Sequence, residues 1–151
     1  MKRLIFIVFG FFVPVVLSFG QTALNSSADS ILGTYEVIHH GELSKVEVVK
    51  EPAGTYMARV IWVEQRLDED GNVRLDEKNP DKSLRHIECD RIVLITGLEY
   101  EPEKERWGNT KVYDPIRGFR ANVHCEFTSD GLLRVRGSLL GFSQSIYWRK
   151  L

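Results

Sequence analysis

Between Arg117 and Phe127 the chain alternates with a period of two: Phe119, Ala121, Val123, Cys125 and Phe127 are interleaved with Arg120, Asn122, His124 and Glu126. Successive side chains of a strand point to opposite faces, so this segment has one dry face and one wet face. The dry face needs a covering surface, and the rest of the chain offers more strands to supply it. After a Ser129-Asp130-Gly131 turn, Leu133, Val135 and Leu139 alternate with Arg134, Arg136 and Ser138, and a Gly141 turn leads into Ser143 to Lys150. Toward the N-terminus, Lys111-Val112-Tyr113 is closed by Asp114-Pro115 and Gly118, and Arg91 to Leu98 is a continuous apolar run. Tyr56 to Val63 follows a Pro52-Ala53-Gly54 turn, and Lys45 to Lys50 and Ile31 to Ile38 complete the set.

These are eight short strands with mostly hairpin-length connections, and no convincing amphipathic helical window. The pattern predicts an all-β, antiparallel, up-and-down arrangement. A meander of this size removes its exposed edges by closing into a barrel; a two-sheet sandwich is the alternative. The interior of an eight-stranded barrel is either filled by side chains or holds one small ligand.

Residues 64–90 do not fit simple hairpins. Asp70-Gly71 is a two-residue turn signal, so the strand from Tyr56 is expected to run past Gln65, turn there and return along Asn72 to Leu75. Asn79-Pro80-Asp81 then opens an irregular crossing with a helical turn around Ser83 to Arg85. Long ordered loops in compact domains are often functional, which singles out Asn79 and Asp81.

The N-terminus carries a different signal. Lys2 and Arg3 precede an apolar stretch from Leu4 to Leu17, and Ser18 and Gly20 are small residues ahead of Gln21. This is the pattern of a cleavable secretory signal over residues 1–20. A membrane span needs roughly 20 apolar residues, and this run is shorter and holds Pro14. The expected protein is therefore exported, periplasmic or extracellular, with no transmembrane segment after cleavage. No cysteine near the cut offers a lipid-anchor site. Residues 21–30 read as a flexible leader, and 31–151 as a single domain. Residues 1–20 hold two of the 20 basic side chains and none of the 21 acidic ones, which leaves a net charge near −3. With no basic run interleaved with aromatics, nucleic acid is not an expected partner.

Motifs for catalysis are missing. There is no Gly-x-Ser-x-Gly elbow and no phosphate-cradling glycine loop. Asp76, Asp81 and Asp114 are candidate carboxylates, but nothing brings any two together, and Asp beside Pro is usual turn chemistry. Asp68 to Asn72 is a loose match to a calcium loop whose glycine falls in the wrong place. Strand alternation sends the adjacent His39 and His40 to opposite faces, and with His86 and His124 elsewhere no metal or other cofactor is expected. Cys89 and Cys125 permit one disulfide in an oxidising compartment without demanding it. Cys125 is expected in the core, too buried for a nucleophile. A non-enzymatic role is the expectation.

A mixture of aromatics and arginines remains. Trp62, Tyr113 and Trp148 are large amphipathic side chains suited to a barrel interior or mouth, with Arg85 after the crossing loop and Arg136 on a late strand. An apolar cavity with a few polar groups is the usual build of a small-ligand site, and an arginine at its mouth pairs with a carboxylate or phosphate. Strict alternation, however, puts Arg136 outside with Arg134. Two readings stay open: a barrel that binds a small amphipathic or hydrophobic molecule, or a filled barrel acting as a structural or partner-binding envelope protein.

The order Gly33-Thr34-Tyr35, Val60-Ile61-Trp62, Asn79-Pro80-Asp81, Leu84-Arg85, Thr96-Gly97, Tyr113-Asp114-Pro115, Arg136-Gly137 and Trp148 resembles the exported bacterial proteins catalogued as domain of unknown function 2147. The resemblance covers Ile31 to Leu151 and implies a lipocalin-like barrel; it implies no activity. In the wider lipocalin pattern a Gly-x-Trp on the first strand stacks with an arginine near the end of the last. Here that implies Tyr35, in the tryptophan position, under the guanidinium of Arg149.

Overall fold

The computed structural model describes residues 27–151. Eight strands follow one another: β1 (Gly33–His39), β2 (Glu42–Lys50), β3 (Tyr56–Val63), β4 (Val93–Glu101), β5 (Arg106–Asp114), β6 (Phe119–Phe127), β7 (Leu133–Leu139) and β8 (Phe142–Lys150). Each pairs antiparallel with its sequence neighbour, and β1 closes on β8 through Tyr35↔Lys150, Glu36↔Arg149 and Val37↔Trp148. The result is a closed up-and-down barrel, and the sandwich alternative falls away. Among the described residues no helix is long and apolar enough to cross a membrane. The expected signal segment and most of the leader lie outside the described residues.

The up-and-down order gives the barrel two unlike ends. Tyr35, Tyr56, Ile95, Leu98, Trp107, Val123, Cys125 and Leu133 are almost fully buried and fill the end where β1 begins. Each such large apolar side chain contributes roughly 1.5–3 kcal/mol. A 3-10 turn over Asp29–Ile31 seals this base. The Trp107 indole donates to the Ala28 carbonyl at 3.1 Å, and the Tyr35 phenol donates to that of Ile31 at 2.7 Å. Asp29 accepts from Tyr56 at 2.6 Å and from Lys50 at 2.9 Å. The fold thus begins ahead of Ile31, and the last leader residues are packed against the barrel. The arginine stack takes a different form: register sets Arg149 opposite Glu36, with which it pairs, and places Lys150 over the Tyr35 ring at 5.9 Å.

Strand bounds differ from the sequence expectation where the backbone leaves the regular pleat. β5 starts five residues before Lys111, because Asn109 takes a left-handed φ of 62° and absorbs a register shift between Trp107 and Thr110. A bulge in β3 matters more. Lys45 pairs with Trp62 but Val46 pairs with Val60, so Ile61 is an extra residue. An extra residue inverts the alternation beyond it.

The crossing segment lies at the opposite end from the sealed base. The Asp70-Gly71 turn is present, with the Asp68 carboxylate accepting from the backbone of Asp70 and Asn72 at 3.0 and 2.8 Å. The expected return strand shrinks to isolated bridges, Leu67↔Val73 and Leu75↔Glu88. Instead of a ladder, side chains hold the segment. Arg66 pairs with Asp90 and Glu88, and Arg74 makes a two-pronged contact with Glu42 at 2.8 and 3.2 Å. The helical turn falls at Lys82–Leu84, capped by Asp81.

Candidate functional site

Above the packed base the barrel is hollow. A cavity of about 670 Å³ opens at the end where β1 meets β2. Val37, Val46, Val60, Val135 and Ile146 contribute apolar wall, with Trp148 near the floor. The floor is solid because Trp148 packs on Tyr35, their ring centroids 6.0 Å apart. The hollow follows in part from side-chain size: above Trp148 many inward positions carry valine, with alanine at Ala121 and glycine at Gly137, beside the larger Leu94, Phe119 and Ile146. Small residues at successive inward positions cannot meet across an eight-stranded barrel.

The mouth is polar around most of its rim and has one apolar tip. His39, Glu42, Arg74, Asp114 and Arg117 contribute polar groups. That tip is the β7–β8 turn, with Leu140 and Phe142 89 % and 83 % exposed. Leu140 has a left-handed φ of 50°, a conformation costly for a residue other than glycine or asparagine. Asp114 lies at the crowded rim. Burial pushes its carboxyl up, but the His39 ring and the backbone N–H groups of Arg117 and Ile116 outweigh that and hold it below the usual carboxylate range.

Of the expected ligand contacts, Trp148 lines the cavity as a wall residue. Tyr113 reaches the rim but is fully engaged: its phenol donates to Asp76 at 2.6 Å, and the Arg120 guanidinium sits 5.0 Å from its ring centroid. Trp62 is outside. The bulge at Ile61 turns it onto the outer face over Lys45, whose ammonium lies 5.4 Å from its ring, and gives the inward place to Val63. Arg136 is also outside, bonded to Ser143 at 2.8 Å, as alternation requires. Arg85 is spent within the crossing segment, donating to the Asn79 carbonyl at 2.8 Å.

Asn79 and Asp81 shape the crossing. Asp76 and Asn79 are the buried polar side chains among the described residues, and the Asn79 amide donates to Asp76 at 2.7 Å. Asp81 caps the helical turn through Ser83 at 2.9 Å, and those hydrogen bonds lower its carboxyl. Lys78 then donates to the Ile116 carbonyl at 2.7 Å, which fastens the crossing to the β5–β6 turn.

Both cysteines are free thiols. Cys89 lies at the cavity wall beside Arg66, and Cys125 is in the packed base, where burial pushes its thiol up to about 12. The histidine expectation is overturned. His40 takes a left-handed φ of 50° in the β1–β2 turn, which brings its ring to 4.3 Å from that of His39 rather than to the opposite face.

An up-and-down barrel sealed at one end, with an apolar pocket open at the other, is the build of the lipocalins. Residues 33–150 match the bacterial family described as "Uncharacterized protein conserved in bacteria (DUF2147)", and the chain belongs to that family. Among solved structures it is similar to protein HP1028 from Helicobacter pylori, described as belonging to the lipocalin family. That similarity has a TM-score of 0.62 and 24% identity, over 80% of this chain and 82% of the other. It concerns the fold. No curated protein matches the chain.

Proposed function

We propose that the protein is an exported binder, not an enzyme, that holds one small hydrophobic or amphipathic molecule in the open half of its barrel. The cavity carries this reading: about 670 Å³ of apolar-walled space above a packed floor. Pockets for small ligands run to roughly 300–1,000 Å³ with a few polar groups that fix orientation. The apolar tail of a ligand fits against Val46, Val135 and Trp148. Its polar end lies at the mouth near Arg117, whose Nη1 is bonded to Gln144 at 3.0 Å and whose Nε faces Asp114 at 3.8 Å. The exposed Leu140 and Phe142 offer an apolar landing beside the entrance.

The test is titration with a dansylated undecanoic acid. We expect saturable binding of one probe per chain with a blue shift, abolished by Ala121→Trp, which fills the cavity, at an unchanged melting temperature. Absent or unsaturable binding in the wild type, or binding indifferent to Ala121→Trp, would overturn the proposal.

A further inference from the structure

We propose that His39, His40 and Asp114 form a binding site for a first-row transition metal ion of the zinc class, which clasps the barrel mouth. One ligand atom from each lies within 4.8 Å of the others. His39 Nε2 and Asp114 Oδ2 are 3.5 Å apart. Metal–ligand bonds of about 2.0–2.2 Å in a tetrahedron space their donor atoms roughly 3.3–3.6 Å apart. The pair is thus set for a shared ion without strand movement. Two imidazoles and one carboxylate suit zinc and its neighbours in the first row, whereas magnesium and calcium prefer oxygen alone. Three protein ligands leave the fourth position to water or an incoming donor.

Topology gives the cluster its meaning. His39 ends β1 and Asp114 ends β5, four places away in either direction around the closed sheet. Their contact therefore crosses the mouth instead of following a hairpin. Asp114 is oriented for this: its Oδ1 accepts from the backbone of Ile116 at 2.9 Å and Arg117 at 3.2 Å, which turns Oδ2 toward His39. Partners of this kind fix a ligating carboxylate. His40 comes from the turn itself, where its left-handed φ aims the ring at its neighbour. The competing cation is Arg117, whose Nε stands 3.8 Å from the same Oδ2, beyond hydrogen-bond range. An ion would displace that contact while Arg117 keeps its bond to Gln144. This inference rests on the cluster alone and holds whether or not the cavity takes a ligand.

The experiment is calorimetric titration of the purified protein with Zn²⁺, with Co²⁺ absorption as a second probe. We expect one ion per chain, a visible Co²⁺ band of tetrahedral type, and a melting temperature raised by Zn²⁺. His40→Asn and Asp114→Asn each weaken Zn²⁺ at least about tenfold and remove the thermal shift. Both keep the fold: asparagine accepts a left-handed φ, and its side-chain oxygen can still accept from Ile116 and Arg117. The control His86→Ala/His124→Ala binds as the wild type does. Failure of the wild type to bind Zn²⁺ saturably, or equal binding in His40→Asn and Asp114→Asn, would overturn the site.

Discussion

The Tyr113 phenol donates to the Asp76 carboxylate at 2.6 Å, joining residues 37 apart in sequence and tying β5 to the crossing segment. The other Asp76 oxygen accepts from Asn79 at 2.7 Å, so the buried carboxylate is held from two sides. Remove the phenol and one oxygen is left buried without a donor. Leaving such a group unsatisfied costs about 1–3 kcal/mol, more when it is charged. Tyr113→Phe is therefore expected to destabilise the protein by about 2 kcal/mol in urea unfolding. Amide exchange should speed up across residues 74–79 and stay unchanged in the base around Trp107. Uniform acceleration would mean that the pair does not act locally.

The same segment is fastened at Gly118, and there the constraint is steric. A Cβ on Gly118 would stand 2.5 Å from the Lys78 carbonyl oxygen, and φ is +72°. Gly131 has a comparable φ of +83° with nothing within 4 Å. Alanine at either position pays the left-handed penalty of about 1–2 kcal/mol; only at Gly118 must the crossing also move. Gly118→Ala is expected to cost clearly more than Gly131→Ala in chemical denaturation. Equal losses would show that the contact with Lys78 is loose.

The barrel was legible because the evidence for it is repeated along the chain. β6 alternates without a break, β7 repeats the period after its turn, and short apolar strands between turn residues recur along the rest of the chain. The site was less so, for three physical reasons. A bulge at Ile61 inverts the face of Trp62, and no residue there marks it. His40 leaves the strand pleat through a left-handed φ, which brings together two side chains that alternation would separate. Asp76 gains its role from Tyr113 and Asn79, and the Tyr113 contact depends on how a long connection lies, which local pattern does not encode. A partial signal did exist for the cavity: Ala121 and Gly137 are small at positions that alternation sends toward one interior.

Leu140 offers a test of stability against function. It is an 89 % exposed leucine with φ of 50°, followed by Gly141 with φ of 83°, in a two-residue turn that favours Asn-Gly. Leu140→Asn should relieve backbone cost and raise stability by about 1 kcal/mol. If the apolar tip helps ligand to enter, the same variant slows uptake of the dansylated probe in stopped-flow mixing. A stabilised variant with unchanged uptake would remove Leu140 from the entry route.

Alkaline pH should unfold the barrel through its buried phenols and the thiol of its base. Burial raises the phenols of Tyr35, Tyr56 and Tyr113, with Asp29 and Asp76 adding to the last two respectively, and burial raises the Cys125 thiol to about 12. All of these groups keep their protons longer folded than unfolded. Their contribution is complete below the unfolded values, 9.0 for the thiol and 10.0 for the phenols, and is lost as pH climbs through the folded ones. Stability should therefore fall steadily above about pH 9. Phenolate absorbance at 295 nm, followed alongside near-ultraviolet circular dichroism, checks this directly. The three buried tyrosines are expected to ionise only as the tertiary signal collapses, and Cys125 to resist iodoacetamide until the same point. Full phenolate absorbance from all five tyrosines while the tertiary spectrum remains native would mean that water reaches Tyr35 and Tyr56 in the base and Tyr113 at the rim without unfolding, and that the packed floor under the cavity is not sealed.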